Sequence, residues 1–340
     1  MKKLIRIISF VCALFIALGA VLYLGAVLQD ARLDNREGHL LCGYYDVSDP
    51  HDVIFVGDCE VYESFVPSVL YEKYGITSYI RGSAQQLVWQ SYYLLEETFR
   101  YETPKTVVFN VYALKYGTPQ DEAYNRMTLD GMKWSASKYR AVKASMTEGE
   151  SMLDYAVPLL RFHSRITELE ADDFKYMFSS KKVSHSGYLM KKGVVPMTEE
   201  AESGRTLLDY TLPETAMEYL DKMRELCEEN GTELILVKAP TNTWGFWWYD
   251  EWDAQIKDYA QSNNLSYYNF ISCKDEIGID FTTDTYDEGM HLNVYGAEKL
   301  TEYFGKILTE SHGLGEKTRS EDVAQRWQAN IDAYYKERNS

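Results

Sequence analysis

Cysteine is scarce in this chain, five among 340 residues, and no two of them stand in a CxxC spacing. That usage argues against a metal cluster, while a bridge such as Cys42–Cys273 stays compatible with an oxidising compartment. Basic residues are also in deficit, 35 Lys and Arg against 52 Asp and Glu, for a net charge of −17. A surface of that sign repels polyphosphate and offers no electrostatic footprint for nucleic acid. Internal repeats and low-complexity tracts are missing too. What is present is ordinary, 45% hydrophobic and 26% charged residues, which excludes a disordered chain. It predicts a body able to bury a core without disulfide staples.

The N-terminus departs from that average. Lys2, Lys3 and Arg6 precede Ile7 to Leu28, an apolar run without a charge. Roughly 20 such residues cross a bilayer as a helix, and the positive-inside rule puts residues 1–6 in the cytoplasm and everything after Gln29 outside. A cleaved signal peptide is the competing reading, with Ala17-Leu18-Gly19 suiting a peptidase. Against it, the run continues through Val21-Leu22-Tyr23-Leu24, and no lipobox cysteine follows. The expectation is a single-pass anchor over 7–28, a juxtamembrane stalk over 29–52, a folded domain over 53–312 and a charged tail over 313–340.

Within the domain, Val53 to Val56 is a short β-branched and aromatic run ending at Gly57, the pattern of a strand buried on both faces. Thr77–Ile80, Val107–Val111, Leu234–Val237 and Ser266–Phe270 resemble it. Between them, Pro67 opens a helix, and Gln85–Phe99, Pro213–Glu229, Asp250–Ser262 and Tyr295–Leu308 carry apolar residues at helical spacing. Strands alternating with helices predict an α/β fold, a mostly parallel sheet with helices on both faces. Such folds place their chemistry at the carboxyl ends of the strands. Residues 116–212 break the alternation and are too long for a plain loop, so they read as an insertion that covers the site, meets a partner or simply packs.

Two features point to chemistry. Val56-Gly57-Asp58-Cys59-Glu60 ends the first strand, where a glycine turns the backbone and a thiol beside a helix start has its thiolate favoured. Taken alone, Cys59 is better read as a small buried residue packed under the turn. The second feature is Asp287-Glu288-Gly289-Met290-His291-Leu292-Asn293, a polar loop before the last helix. An imidazole acting as general base needs its other nitrogen held by an acceptor, and a carboxylate in the same loop supplies one. Both features fall at one edge of the sheet.

These two blocks resemble the SGNH, or GDSL-type, hydrolase superfamily, and the likeness extends over most of Val53 to Glu310. It implies a three-layer, flavodoxin-like domain. It also implies that Cys59 is the nucleophile and that His291 is the base, with Asp287 or Glu288 as its acid. The oxyanion hole would be formed by the amides of Cys59 and Gly82 together with Asn110. Two departures stand out. Cysteine replaces the usual serine, a substitution compatible with acylation because a thiolate is intrinsically the stronger nucleophile. The acid three residues before His291 is Glu288 rather than Asp, so Asp287 fits only if the loop holds one extra residue. The Gly-x-Asn-Asp pattern around Asn110 is absent.

An anchored domain of this kind is also similar to the SGNH-type proteins that assist membrane-bound O-acyltransferases in decorating cell-envelope polymers, including the teichoic-acid D-alanyl-transfer protein. The resemblance implies an extracytoplasmic ester hydrolase or O-acyltransferase with no cofactor and no metal, acting on an acylated envelope glycan or small ester. A degenerate binding module that recruits a membrane-bound acyltransferase is the alternative. Lys238, at the end of the fourth strand, is a candidate for an anionic group, or else a solvated lysine. Trp244, Phe246, Trp247, Trp248, Tyr249 and Trp252 form an aromatic patch suited to a sugar ring, a membrane interface or burial.

Overall fold

The short apolar runs become strands because each is rich in β-branched or aromatic residues and packs side chains toward both faces. The computed structural model describes residues 2–32, 40–47, 49–176, 185–197, 207–242, 248–315 and 319–340. In it the strands are β1 (Val53–Gly57), β2 (Ser78–Gly82), β3 (Thr106–Asn110), β4 (Glu233–Lys238) and β5 (Ser266–Asn269). All pair in parallel, in the order β2-β1-β3-β4-β5. That order reverses at β1, whose carboxyl end, beside that of β3, flanks a topological switch where open α/β sheets leave a crevice.

The helices are α1 (Lys2–Arg32), α2 (Cys59–Ser64), α3 (Pro67–Tyr74), α4 (Val88–Thr98), α5 (Glu122–Leu129), α6 (Ala136–Ser145) and α7 (Met152–Ala156), followed by α8 (Pro158–Phe162), α9 (Ala171–Tyr176), α10 (Glu214–Glu229), α11 (Asp250–Ser262), α12 (Lys274–Ile277), α13 (Val294–Glu310) and α14 (Glu321–Arg338). Period-two alternation assigns them to the two faces of the sheet. Ile54, Val56, Val107, Phe109 and Leu236 share a core with Leu94 of α4, Leu220 of α10 and Ile256 of α11. Val53, Phe55, Val108, Ile235 and Val237 share the other with Val61 of α2, Leu70 of α3 and Leu300 and Phe304 of α13. The result is three layers, and each fully buried Leu or Phe contributes about 1.5–3 kcal/mol.

Two segments are more ordered than their composition suggests. The second half of the stalk forms a short 3-10 helix, Cys42–Asp46, with Leu40, Leu41 and Tyr44 buried. His51 there hydrogen-bonds Glu102. The charged tail contains α14, whose Trp327 stacks on Tyr71 at 4.9 Å and whose Ile331 and Tyr334 are buried. Apolar residues at 327, 331 and 334 make one helical stripe, and burying it docks the tail on α3. Among the described residues no disulfide joins any of the five cysteines, Cys42 and Cys273 included.

The insertion supplies α5 to α9 and then a return segment, residues 185–197, that runs along the site edge. There Ile80 N donates to Ser186 O, Leu189 N to Tyr62 O, Val195 N to Thr285 O and Val294 N to Lys191 O. The crossing requires Gly187: its φ is +86°, and a Cβ would sit 2.2 Å from Ile80 O. Helix α1 contains a stretch, Lys2–Gln29, long and apolar enough to cross a membrane.

Candidate active site

Tight packing sets the turn after β1. A Cβ on Gly57 would meet Val61 Cγ2 at 2.5 Å and Asn110 Cβ at 3.0 Å, so glycine is what allows α2 to start directly against the sheet. Asp58 caps α2 by accepting from Glu60 N at 3.2 Å. Cys59 is therefore the first helical residue, half-buried at the carboxyl end of β1.

The histidine arrives from the far end of the chain on a loop pinned at both ends. Thr285 and Leu292 form an isolated antiparallel bridge. Asn293 caps α13 by accepting from Tyr295 N and Gly296 N, while its Nδ2 donates to the carbonyls of Gly193, Thr283 and Thr285. His291 Nε2 then lies 3.0 Å from Cys59 Sγ, and His291 Nδ1 lies 2.6 Å from Asp287 Oδ2. Asp287 Oδ1 also accepts from His291 N at 2.8 Å. Of the two candidate acids, Asp287 is the one at the imidazole; Glu288 is exposed. The loop between Asp287 and His291 turns through consecutive left-handed conformations, φ +61° at Glu288 and +89° at Gly289. Asn242 N holds the bulge by donating to Gly289 O at 2.6 Å.

Burial pushes the Cys59 thiol up to about 11, against the pull of His291. Burial would lower His291, but the Cys59 sulfur, Asp287 and Glu63 outweigh it and hold the imidazole well above its ordinary range. The two groups face each other directly, so a proton can pass from Sγ to Nε2 at the moment of attack.

A second carboxylate, Glu63, was not evident from the sequence. Its Oε2 lies 3.9 Å from His291 Nδ1 and accepts from Tyr286 OH at 2.8 Å. The Tyr286 ring lies parallel to His291, 6.0 Å between centroids. Lys191, from the insertion's return segment, stands 3.9 Å from Glu63 Oε1. The signal available was spacing, since residues four apart share a helix face and Glu63 follows Cys59 by four.

Beneath the sulfur lies a buried polar network, and two sequence assignments change there. Asn110 Nδ2 donates to Asp58 Oδ1 at 3.1 Å and to Glu60 Oε2 at 2.9 Å, and its Oδ1 accepts from Ala239 N. Both amide hydrogens are occupied, so in this arrangement Asn110 has none to offer an oxyanion. Lys238 is neither solvated nor open to an anionic ligand. It is fully buried, donating to both oxygens of Glu60 at 2.8 Å and to Ala239 O at 2.9 Å. Burial beside Glu60 raises Asp58 to about 7. A second lysine, the partly buried Lys115, stands 3.6 Å above the Tyr112 ring. Burial holds it at about 8 despite Glu60 and Asp58, and its charge reaches Cys59.

Gly82 closes against the turn after β1, paired with Gly57; a Cβ there would stand 3.0 Å from Gly57 O. Trp244, Phe246 and Trp247 lie outside the described residues. The rest of the aromatic patch packs on itself, with Tyr249 4.8 Å from the buried Trp252 ring. Among the described residues, no group of three His, Cys, Asp or Glu is placed to hold a metal ion.

No family model matches the chain, and no curated protein matches it. The geometry therefore carries the functional argument alone. A thiol, an imidazole and a carboxylate stand in sequence next to a glycine-lined turn, an arrangement in which the imidazole can take the thiol proton while the carboxylate holds its other nitrogen.

Proposed function

We propose that the protein is an extracytoplasmic SGNH-like enzyme, a hydrolase or O-acyltransferase of acyl esters on a cell-envelope glycan, tethered by α1. The observation that carries this reading is the 3.0 Å contact between Cys59 Sγ and His291 Nε2, with Asp287 2.6 Å from the other ring nitrogen. The strand order β2-β1-β3-β4-β5 agrees with the flavodoxin-like topology that the resemblance implies.

In the first step the Cys59 sulfur attacks the ester carbonyl carbon as its proton passes to His291 Nε2. Asp287 accepts from Nδ1–H and stabilises the imidazolium. The backbone N–H groups of Cys59 and Gly82 face the oxyanion. Collapse of the tetrahedral species breaks the carbon–oxygen bond, and the leaving alkoxide takes the proton from His291. The acyl group is then a thioester on Cys59. Water or a glycan hydroxyl, deprotonated by His291, attacks that thioester and returns the thiol.

Cys59→Ala should reduce turnover of p-nitrophenyl acetate to the uncatalysed background with the thermal unfolding curve unchanged, and quenched wild-type protein should carry an acetyl group on Cys59. Full turnover by the variant sinks the proposal.

A second reading draws support from Asn110, whose amide hydrogens are both engaged within the fold. In that reading the domain binds an acylated polymer or recruits a membrane-bound O-acyltransferase without turning over. It predicts no acetyl adduct and no reaction of Cys59 with iodoacetamide at neutral pH.

A further inference from the structure

We propose that residues 152–176 form a second membrane contact, a set of short helices seated at the headgroup level of the bilayer that α1 crosses. The inference rests on reading α1 as a membrane span. The hydrocarbon core takes about 20 helical residues. Counted from Ile7, the first residue past the last cytoplasmic charge, it ends near Ala26. That level is where the insertion grips the helix. A Cβ on Gly25 would stand 3.1 Å from Leu159 N and 3.7 Å from Pro158 Cβ, so glycine lets α8 approach closely. Val27 and Leu28 are fully buried, and Arg165 Nη1 donates to Leu28 O at 2.7 Å. One turn earlier, Tyr23 is exposed at a depth that suits an interfacial aromatic.

Having covered the end of α1, the same segment leaves large apolar side chains uncovered: Leu153 is 62% exposed, Leu160 51%, Ile166 47% and Phe174 39%. Their direction follows from helix geometry. Successive residues are about 100° apart around a helix. In α8, Phe162 points into the domain and Leu159 toward Gly25, which leaves Leu160 on the flank away from the domain. Apolar groups exposed at that depth are continuous with the lipid-facing surface of α1, and the occupant that follows is lipid. Charge does not drive the contact. The chain's net charge is −17, and exposed Glu168 and Glu170 follow Ile166, so zwitterionic lipid suffices.

The test uses the full chain in phosphatidylcholine vesicles, with a benzophenone amino acid placed singly at Leu153, Leu160, Ile166, Phe15 or Tyr101. Phe15 reports on α1, and Tyr101 is an exposed position outside both segments. The expected result is about tenfold more lipid adduct at Leu160 and Ile166 than at Tyr101, approaching the yield at Phe15. Adducts at Phe15 with only the Tyr101 level at Leu153, Leu160 and Ile166 overturn the inference while leaving the anchor in place. Absence of adducts at Phe15 overturns the anchor reading, and this inference with it. Cross-links from Leu160 to protein in place of lipid also overturn it.

Discussion

Cys59 and Glu60 are neighbours in the chain and opposites in the structure. The first side chain is half-buried at the end of β1 and meets His291; the second turns inward, where the fully buried Lys238 neutralises it. One step along a helix changes direction by about 100°, and here that step separates reactive chemistry from a buried ion pair. The comparison teaches that position at the site edge does not make a residue part of the chemistry. Lys238 and Asn110 end strands at the same edge, yet both are held within the network below the sulfur.

Breaking the lower half should have the largest effect on stability. Glu60→Ala or Lys238→Met leaves an uncompensated buried charge and should cost about 3–5 kcal/mol, with much of it recovered in the double variant Glu60→Leu/Lys238→Met. Urea unfolding measures this. A loss of similar size in Cys59→Ala would erase the distinction between the two neighbours.

In the upper half, Asp287→Asn should lower kcat by about 100-fold or more, because the imidazole loses the acceptor that fixes its tautomer. Glu288→Gln should leave kcat unchanged; the reverse ranking would reassign the acid. Tyr286→Phe removes a hydrogen bond to the Glu63 carboxylate and should destabilise the fold by about 1.5–3 kcal/mol at most. The site should stay active in that variant, and steady-state kinetics beside the melt separates the two effects.

The finest probe is pH. Asp58 is raised from 3.8 to about 7 by burial and Glu60, so the native state keeps a proton that the unfolded chain has already lost. The stability this contributes is complete below about pH 4 and is lost as pH rises through 7. Asp58→Asn keeps the capping oxygen and should flatten that decline in urea midpoints measured from pH 4 to 8. An unchanged slope would remove Asp58 as its source.

The legible parts of the site were those with local signals. Gly57 and Cys59 follow a buried run, and His291 sits in a polar loop just before a helix cap, so both could be placed at a strand or helix end. Glu63 was a spacing signal that stood unused, four residues after Cys59. Asn110 and Lys238 were misassigned because their partners are distant in sequence: Lys238 and Glu60 are 178 positions apart, and Asn110 and Glu60 are 50 apart. The tail was read as charged and only weakly amphipathic, because three apolar residues in α14 make a weak stripe until α3 is there to receive them.

By itself the sequence determined the five strands, the apolar N-terminal helix and the arrival of Cys59 and His291 at one edge of the sheet. Hydrophobic period and turn residues act over a few positions, and parallel strands must all end on the same side. Tertiary structure alone decided which carboxylate faces the imidazole, that Asn110 and Lys238 serve the network beneath Cys59, and that the insertion grips the end of α1. Those outcomes depend on burial and on pairing between distant residues, where a charge or an amide takes whichever partner the packed chain brings within reach.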